Sequence, residues 1–448
     1  MGTYTRPRMA APGVSVLRRT LRTGDGLAVV LGITVGSGIF RTPGLVAGQL
    51  GRPALIFAAW VLGGIVSALG VLVFAELTTR LPHAGGKYVF AREAYGRRAA
   101  FVVGWVEAFG IYAAVIAALG VVAGEYLARL AGWPPSRAAL LGVLWIGMFT
   151  ALNLLGVGAG RWTQNLATLA KVVALGVVVL AAGIAGRGDG WSSPLPAAPT
   201  GFAAAVALAL AFQSLLWTYY GYVDLAKIAE EVAEPDVRLP RIFFYGIAST
   251  IVLYLLLNAA FLQVLSLDRL AASNLVVGDV VQEIFGVRAG GIMAGLALLV
   301  VLSGLNANVF VTPRVVFGLA RDGLAPGVLA RVSAGGSPWA ATILVGLVAA
   351  VLAASGTFEW LLSLTILLVL IVDGFMVPVL VRLRHRSPDA PFRVPLYPFL
   401  PFLFLLIYAV LFAGAVVGQP GTAALATGVV AVAYVVSRLL VRGSRFSP

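Results

Sequence analysis

Twelve stretches of this chain are each apolar enough, and most long enough, to cross a lipid bilayer. About 20 apolar residues in helical form cover the ~30 Å of hydrocarbon. The runs fall at roughly 25–49, 53–79, 99–130, 138–156, 161–186, 203–230, 239–265, 289–320, 338–355, 358–382, 396–418 and 421–442. A soluble domain carries about 25% charged residues; here 11% are charged and 60% hydrophobic, too much apolar surface for a soluble core to hide. Backbone polar groups in lipid must pair within their own segment. The expectation is therefore an all-α integral membrane protein with 12 transmembrane helices. The first run is too long for a signal-peptide core, and no small-residue cleavage site follows it.

The net charge of +14 suggests nucleic acid until the charges are placed. With both termini in the cytoplasm, inside segments hold 24 of the 32 Lys and Arg, outside segments hold 7, and Lys171 lies within a span. That bias orients the chain and explains its basicity through loops facing anionic lipid, with no nucleic-acid partner. There is no cysteine and there are two histidines, His83 and His385, so no thiolate chemistry, disulfide or histidine-rich metal site is expected, and no cofactor. No P-loop, HExxH or GxSxG is present, which argues against an enzyme. No hydrophilic stretch is long enough for a soluble domain. The division expected is a cytoplasmic tail at 1–22, a first half at 23–186, a second at 203–382 and two further spans within 396–443. Short loop helices are expected at Lys87–Tyr95 and Val277–Phe285.

Two spans are interrupted. The first reads Gly32-Ile33-Thr34-Val35-Gly36-Ser37-Gly38-Ile39-Phe40 and the sixth Trp217-Thr218-Tyr219-Tyr220-Gly221-Tyr222-Val223-Asp224. Glycine costs about 1 kcal/mol relative to alanine inside a helix, so three within seven residues need a reason. Gly-interrupted segments at corresponding points of two halves point to a transport site, and an odd number of spans between them inverts the second half. A half-helix beginning near Ser37-Gly38 offers free N–H groups and a positive dipole end to a carboxylate. Carbonyls around Ile33, Thr34, Trp217 and Thr218 suit an ammonium. The alternative is a small-residue packing face.

At these residues the chain resembles the amino acid–polyamine–organocation superfamily of permeases. Gly36-Ser37-Gly38-Ile39-Phe40 is similar to its first-helix signature. Ala75-Glu76-Leu77 with the run from Pro82 to Gly96 resembles the segment after its second helix. Glu230-Glu231, Pro235, Leu239-Pro240-Arg241, Arg314, the run Ala320 to Pro326 and Pro391-Phe392-Arg393-Val394-Pro395 follow its later motifs in order. The resemblance implies the LeuT-type architecture: a 5+5 inverted repeat with broken helices 1 and 6, plus two additional C-terminal helices. It implies a permease that moves a small amino acid or related amine across the cell membrane by alternating access. Substrate contacts carry over onto Thr34, Gly36, Ser37, Gly38, Trp217, Thr218, Tyr219 and Gly221, with Trp217 as a covering aromatic.

Lys171 lies about ten residues, or ~15 Å of helix rise, from the Arg161 end of the fifth span. A charge at that depth costs at least ~2.5–3.5 kcal/mol on insertion scales, so a partner or function is expected. Several sodium-independent members of the superfamily carry a lysine here. The expectation is that its ammonium bridges the first-helix break and the eighth span near Gly304 and Asn308, replaces sodium, and links transport to protons or exchange. Glu107, Asp373 and Asp224 are weighed as proton sites or structural acids. Val223 and Tyr220 depart from the superfamily pattern; the Tyr220 ring narrows the site and favours small substrates. Alternatives are a polyamine or cationic amino acid antiporter, a transporter-fold sensor, or a membrane enzyme. With no cysteine for a disulfide, no ancillary subunit is expected.

Overall fold

The computed structural model describes residues 21–83, 85–155, 160–188, 190–192, 199–333 and 337–441. Arginines counted above at positions 6, 8, 18, 19, 442 and 445 lie outside the described residues. In chain order the α-helices are α1 (Thr23–Thr34), α2 (Gly38–Leu50), α3 (Pro53–Arg80), α4 (Lys87–Tyr95), α5 (Arg97–Trp105), α6 (Ala113–Ala131), α7 (Ala138–Leu155), α8 (Gly160–Ala185) and α9 (Gly201–Tyr219). They continue as α10 (Pro235–Val264), α11 (Leu267–Ala272), α12 (Val276–Phe285), α13 (Val287–Arg321), α14 (Trp339–Ser355), α15 (Phe358–Arg386), α16 (Phe399–Gly418) and α17 (Pro420–Leu440). A π-helical segment, Val106–Tyr112, joins α5 to α6. No strand is present among the described residues; one isolated bridge pairs Leu21 with Val232.

Among the described residues ten helical runs are long and apolar enough to cross a membrane, and the bent pair α1–α2 makes an eleventh if it counts as one span. The 17-residue α14 is apolar but shorter. Proline stands in the first turn of α3, α10 and α17, where its missing N–H has no intrahelical partner to lose. The loop helix α4 begins at Lys87 as expected and is bracketed by Gly86 (φ 63°) and Gly96 (φ 87°). The α5–α6 run and α15 are the most buried spans and α17 the least. Outer faces carry exposed Leu140, Leu180, Ile184, Leu299, Leu347 and Leu439, side chains suited to lipid.

The sixth span departs from expectation. The apolar run to residue 230 reads as a helix on both sides of its break, but α9 ends at Tyr219, and the chain runs on through 3-10 turns at Tyr222–Lys227 and Ala229–Glu231. Main-chain i→i+3 bonds, Asp224 N–H to Gly221 O, Ile228 N–H to Leu225 O and Val232 N–H to Ala229 O, replace the α-helical ladder there, and the Asp224 side chain accepts from the Tyr112 hydroxyl.

Candidate functional site

The first break is Val35-Gly36-Ser37, where α1 and α2 meet at 44°. The second is Tyr220-Gly221, with Gly221 at φ 145°, a conformation L side chains rarely adopt. The breaks press on each other reciprocally. A Cβ at Gly221 would lie 2.6 Å from Thr34 Oγ1 and 2.9 Å from the Thr34 main chain. A Cβ at Gly38 would lie 2.7 Å from Thr218 Oγ1 and 2.8 Å from Thr218 Cα. Only glycine at both positions lets the two main chains touch. The opening turn of α2 there presents N–H groups with no acceptor inside the helix.

The freed carbonyls find a partner that sequence reasoning missed. The Tyr254 hydroxyl, from α10, lies 2.7 Å from the Thr34 carbonyl and 3.1 Å from the Thr218 carbonyl, so one proton is shared between the breaks. The Gly36 N–H also donates to Thr34 O at 2.9 Å. Two of the four carbonyls expected to receive an ammonium are thus engaged within the protein. A tyrosine in a span carries no sign in sequence of which carbonyl it will reach.

Around this junction the predicted residues divide. Thr34, Ser37 and Thr218 are buried against one another's helices. The Trp217 ring meets Phe358 edge-on at 5.8 Å. Phe358 in turn lies 4.7 Å beneath the Arg41 guanidinium, which ion-pairs with Glu125 on α6 and Glu359 on α15. Arg41, assigned from sequence to an outer segment, is buried and ties three spans together. Tyr219 turns elsewhere: its hydroxyl donates to the Trp60 carbonyl at 3.0 Å and its ring packs on Trp60 and Tyr254.

Lys171 is buried, and its ammonium donates to Gly32 O on α1 at 3.3 Å. It borders a cavity of about 20 Å³ with Val35, Phe40, Ala174, Leu175, Leu296 and Val300. The eighth-span neighbours are therefore Leu296 and Val300, a turn or more before the expected Gly304 and Asn308. Asn308 instead donates to Gly304 O within its own helix, at 2.9 Å.

A second charged centre lies toward the end of the bundle that carries α4. Lys87 Nζ is 2.7 Å from Asp373 Oδ1 and 2.5 Å from the Tyr220 hydroxyl. Lys227 Nζ is 2.6 Å from Asp224 Oδ1, which also accepts from the Tyr112 hydroxyl at 2.7 Å. Glu107 lies 3.9 Å from Lys227 Nζ. Glu107, Asp373 and Asp224 are thus brought together, with two lysines that sequence reasoning counted as solvated loop charges. Burial opposes the charge on Lys87, but the Asp373 carboxylate beside it outweighs this and holds the ammonium above the usual lysine range. The signal available in sequence was the Asp224-to-Lys227 spacing of three.

The π-helical segment explains how Glu107 and Tyr112 reach one centre. Residues five apart on an α-helix lie about 140° apart around the axis; the i→i+5 bonding of a π-helix brings them toward one face, a geometry common at functional sites.

Comparison with known proteins gives a consistent set of likenesses. The amino acid permease family model matches residues 25–436. The chain is 28% identical over 384 residues to the serine/threonine exchanger SteT of Bacillus subtilis, covering 84% of this chain and 86% of that one. It is 27% identical over 445 residues to the large neutral amino acids transporter small subunit 2 of Mus musculus, covering 96% and 83%. It is 27% identical over 399 residues to the human cystine/glutamate transporter, covering 87% and 78%.

Proposed function

The chain belongs to the amino acid permease family, a family of transporters rather than enzymes within the amino acid–polyamine–organocation superfamily, and on that premise we propose that it carries a small amino acid by alternating access without sodium. The observation that carries this reading is the reciprocal contact of the two breaks, Gly221 on Thr34 and Gly38 on Thr218. The breaks touch in this structure; when alternating access parts them, a zwitterion entering there meets the amides at the start of α2 through its carboxylate, and the Ile33 and Trp217 carbonyls through its ammonium. Thr34, Gly36, Ser37, Gly38, Trp217, Thr218 and Gly221 form this site, with the Tyr219 side chain acting only as packing behind it.

In this reading α14 is a short twelfth crossing, the halves at 23–186 and 203–382 are inverted repeats, α16 and α17 are additional, and both termini face the cytoplasm. The Lys171 ammonium, bonded to Gly32 O, occupies the place of a coupling cation and makes transport proton-linked or an obligatory exchange. The names of the relatives favour amino acids over polyamines. So does the engagement of Glu125 and Glu359 by Arg41, which leaves those carboxylates unavailable to a second cationic group of a substrate. The chain has no cysteine to tether an ancillary subunit, and it works alone.

Counterflow in sodium-free proteoliposomes tests the proposal. Vesicles loaded with unlabelled L-serine and L-threonine should accumulate labelled L-threonine transiently. Strict dependence on a sodium gradient, or no counterflow with any amino acid, would refute it.

A further inference from the structure

The charged centre beside α4 is out of balance. Three carboxylates, Glu107, Asp224 and Asp373, face two ammoniums, Lys87 and Lys227, and every one of the five is buried. Asp373 is matched by Lys87, and Asp224 by Lys227 and the Tyr112 hydroxyl. Glu107 and Asp373 are both fully buried, and the oxygens of both lack a hydrogen-bond partner among the described residues, but Asp373 has an ammonium 2.7 Å away and Glu107 does not. Its ion-pair contact with Lys227, at 3.9 Å, is beyond hydrogen-bond reach.

Glu76, equally buried, shows what a satisfied carboxylate looks like in this protein. It accepts from the Arg80 and Arg384 guanidiniums and from the Val394 N–H. An ionised carboxylate without such partners is not tolerated in a dry interior; it takes up a proton instead.

The charged groups that act most on Glu107 are Lys87 on α4, Lys227 and Asp224 on the 3-10 turn, and Asp373 on α15. The flanking packing at Gly104 and Gly110 is Leu319, Leu368 and Val429, which supply no compensating charge.

We propose that Glu107 is a proton-binding residue: the centre holds one exchangeable proton, carried by Glu107, separate from the Lys171 amine. With that proton, two neutralised pairs and a neutral acid remain. Any rearrangement that draws α4 or the 3-10 turn away from Glu107 changes the number of ammoniums facing it, so proton affinity and the conformation of this end of the bundle are linked. As a device for coupling, the inference rests on the transport reading; as a protonation state, it does not.

Infrared spectroscopy of the full-length protein in liposomes at neutral pH tests it without any substrate. The wild type should show the carbonyl stretch of a buried protonated carboxylic acid, shifting in heavy water. Glu107→Gln should lose it, as should loss of any one of the three carboxylates; the carrier is told apart by Glu107→Asp, which should move the band, while Asp373→Glu and Asp224→Glu leave its position unchanged, and a band that moves with either of those instead overturns the assignment. Asp224→Asn should lose it too, although Glu107 is still present, because two carboxylates then face two ammoniums. Lys227→Met should roughly double it. Absence of the band in wild type, as neutralisation by a bound sodium ion would give, overturns the proposal. So does a band that survives both Glu107→Gln and Asp224→Asn. Counterflow of labelled L-threonine at acid and alkaline pH is measured alongside. A band without counterflow keeps the Glu107 assignment and removes the transport reading; counterflow without a band does the reverse.

Discussion

Replacing Lys87 by methionine breaks the most deeply buried ion pair in the described structure. Lys87 and Asp373 approach to 2.7 Å with side chains 1% and 0% exposed. At that separation and an effective dielectric of about 20, the Coulomb attraction is about 6 kcal/mol. Desolvation of both ions offsets most of this, so the pair adds little net stability, but removing one partner strands the other and costs about 3–5 kcal/mol. The two single variants should differ. Lys87→Met leaves three carboxylates facing one ammonium and should cost the full amount. Asp373→Leu leaves two facing two and should cost less. The double variant Lys87→Met/Asp373→Leu returns the centre to the original imbalance and should lie within about 1–2 kcal/mol of wild type. Unfolding by denaturing detergent in mixed micelles, followed by the fluorescence of the nine tryptophans, measures all three. Additive costs, with the double variant as unstable as the sum of the singles, would refute the argument.

Other consequences are as direct. Asp373 holds the Lys87 ammonium above the usual lysine range, so the wild-type ion pair persists to about pH 10; in Lys87→Met the stranded carboxylate takes up a second buried proton that the unfolded chain does not hold, so the deficit should widen as pH rises from neutral in the same assay. Gly221→Ala drives a Cβ into the Thr34 main chain at a residue with φ 145°; a strain of about 1–3 kcal/mol should appear as a loss of amino acid uptake, and normal uptake would contradict the role given to the junction. Tyr254→Phe removes the proton shared by the Thr34 and Thr218 carbonyls and should lower unfolding free energy by about 1–3 kcal/mol. Lys171→Met should keep sodium-free counterflow while flattening the pH dependence of net uptake.

The sequence displayed the breaks because glycine is conspicuous in an apolar span, and it displayed α4 because glycines bracket it at Gly86 and Gly96. It could not display what depends on tertiary approach. Lys87 and Lys227 lie outside the apolar runs, or at their ends, and so read as solvated, yet the chain folds them inward onto Glu107 and Asp373. Arg41 read as a loop charge for the same reason, and its partners Glu125 and Glu359 are 84 and 318 positions away. The end of the sixth span looked helical by composition, but Gly221 turns the chain at φ 145° and it runs on in 3-10 turns rather than resuming the α-helix. Tyr254 carries no local mark at all, because its partners are carbonyls set free only by breaks elsewhere.

Equilibrium competition against labelled L-threonine on the purified protein bears most directly on whether main-chain groups at two facing breaks hold a zwitterion. Free L-threonine and L-serine should displace the label, while L-threonine amide, which lacks the carboxylate, and N-acetyl-L-threonine, which lacks the ammonium, should fail by at least about tenfold, or ~1.4 kcal/mol. Equal displacement by either blocked analogue would contradict the account.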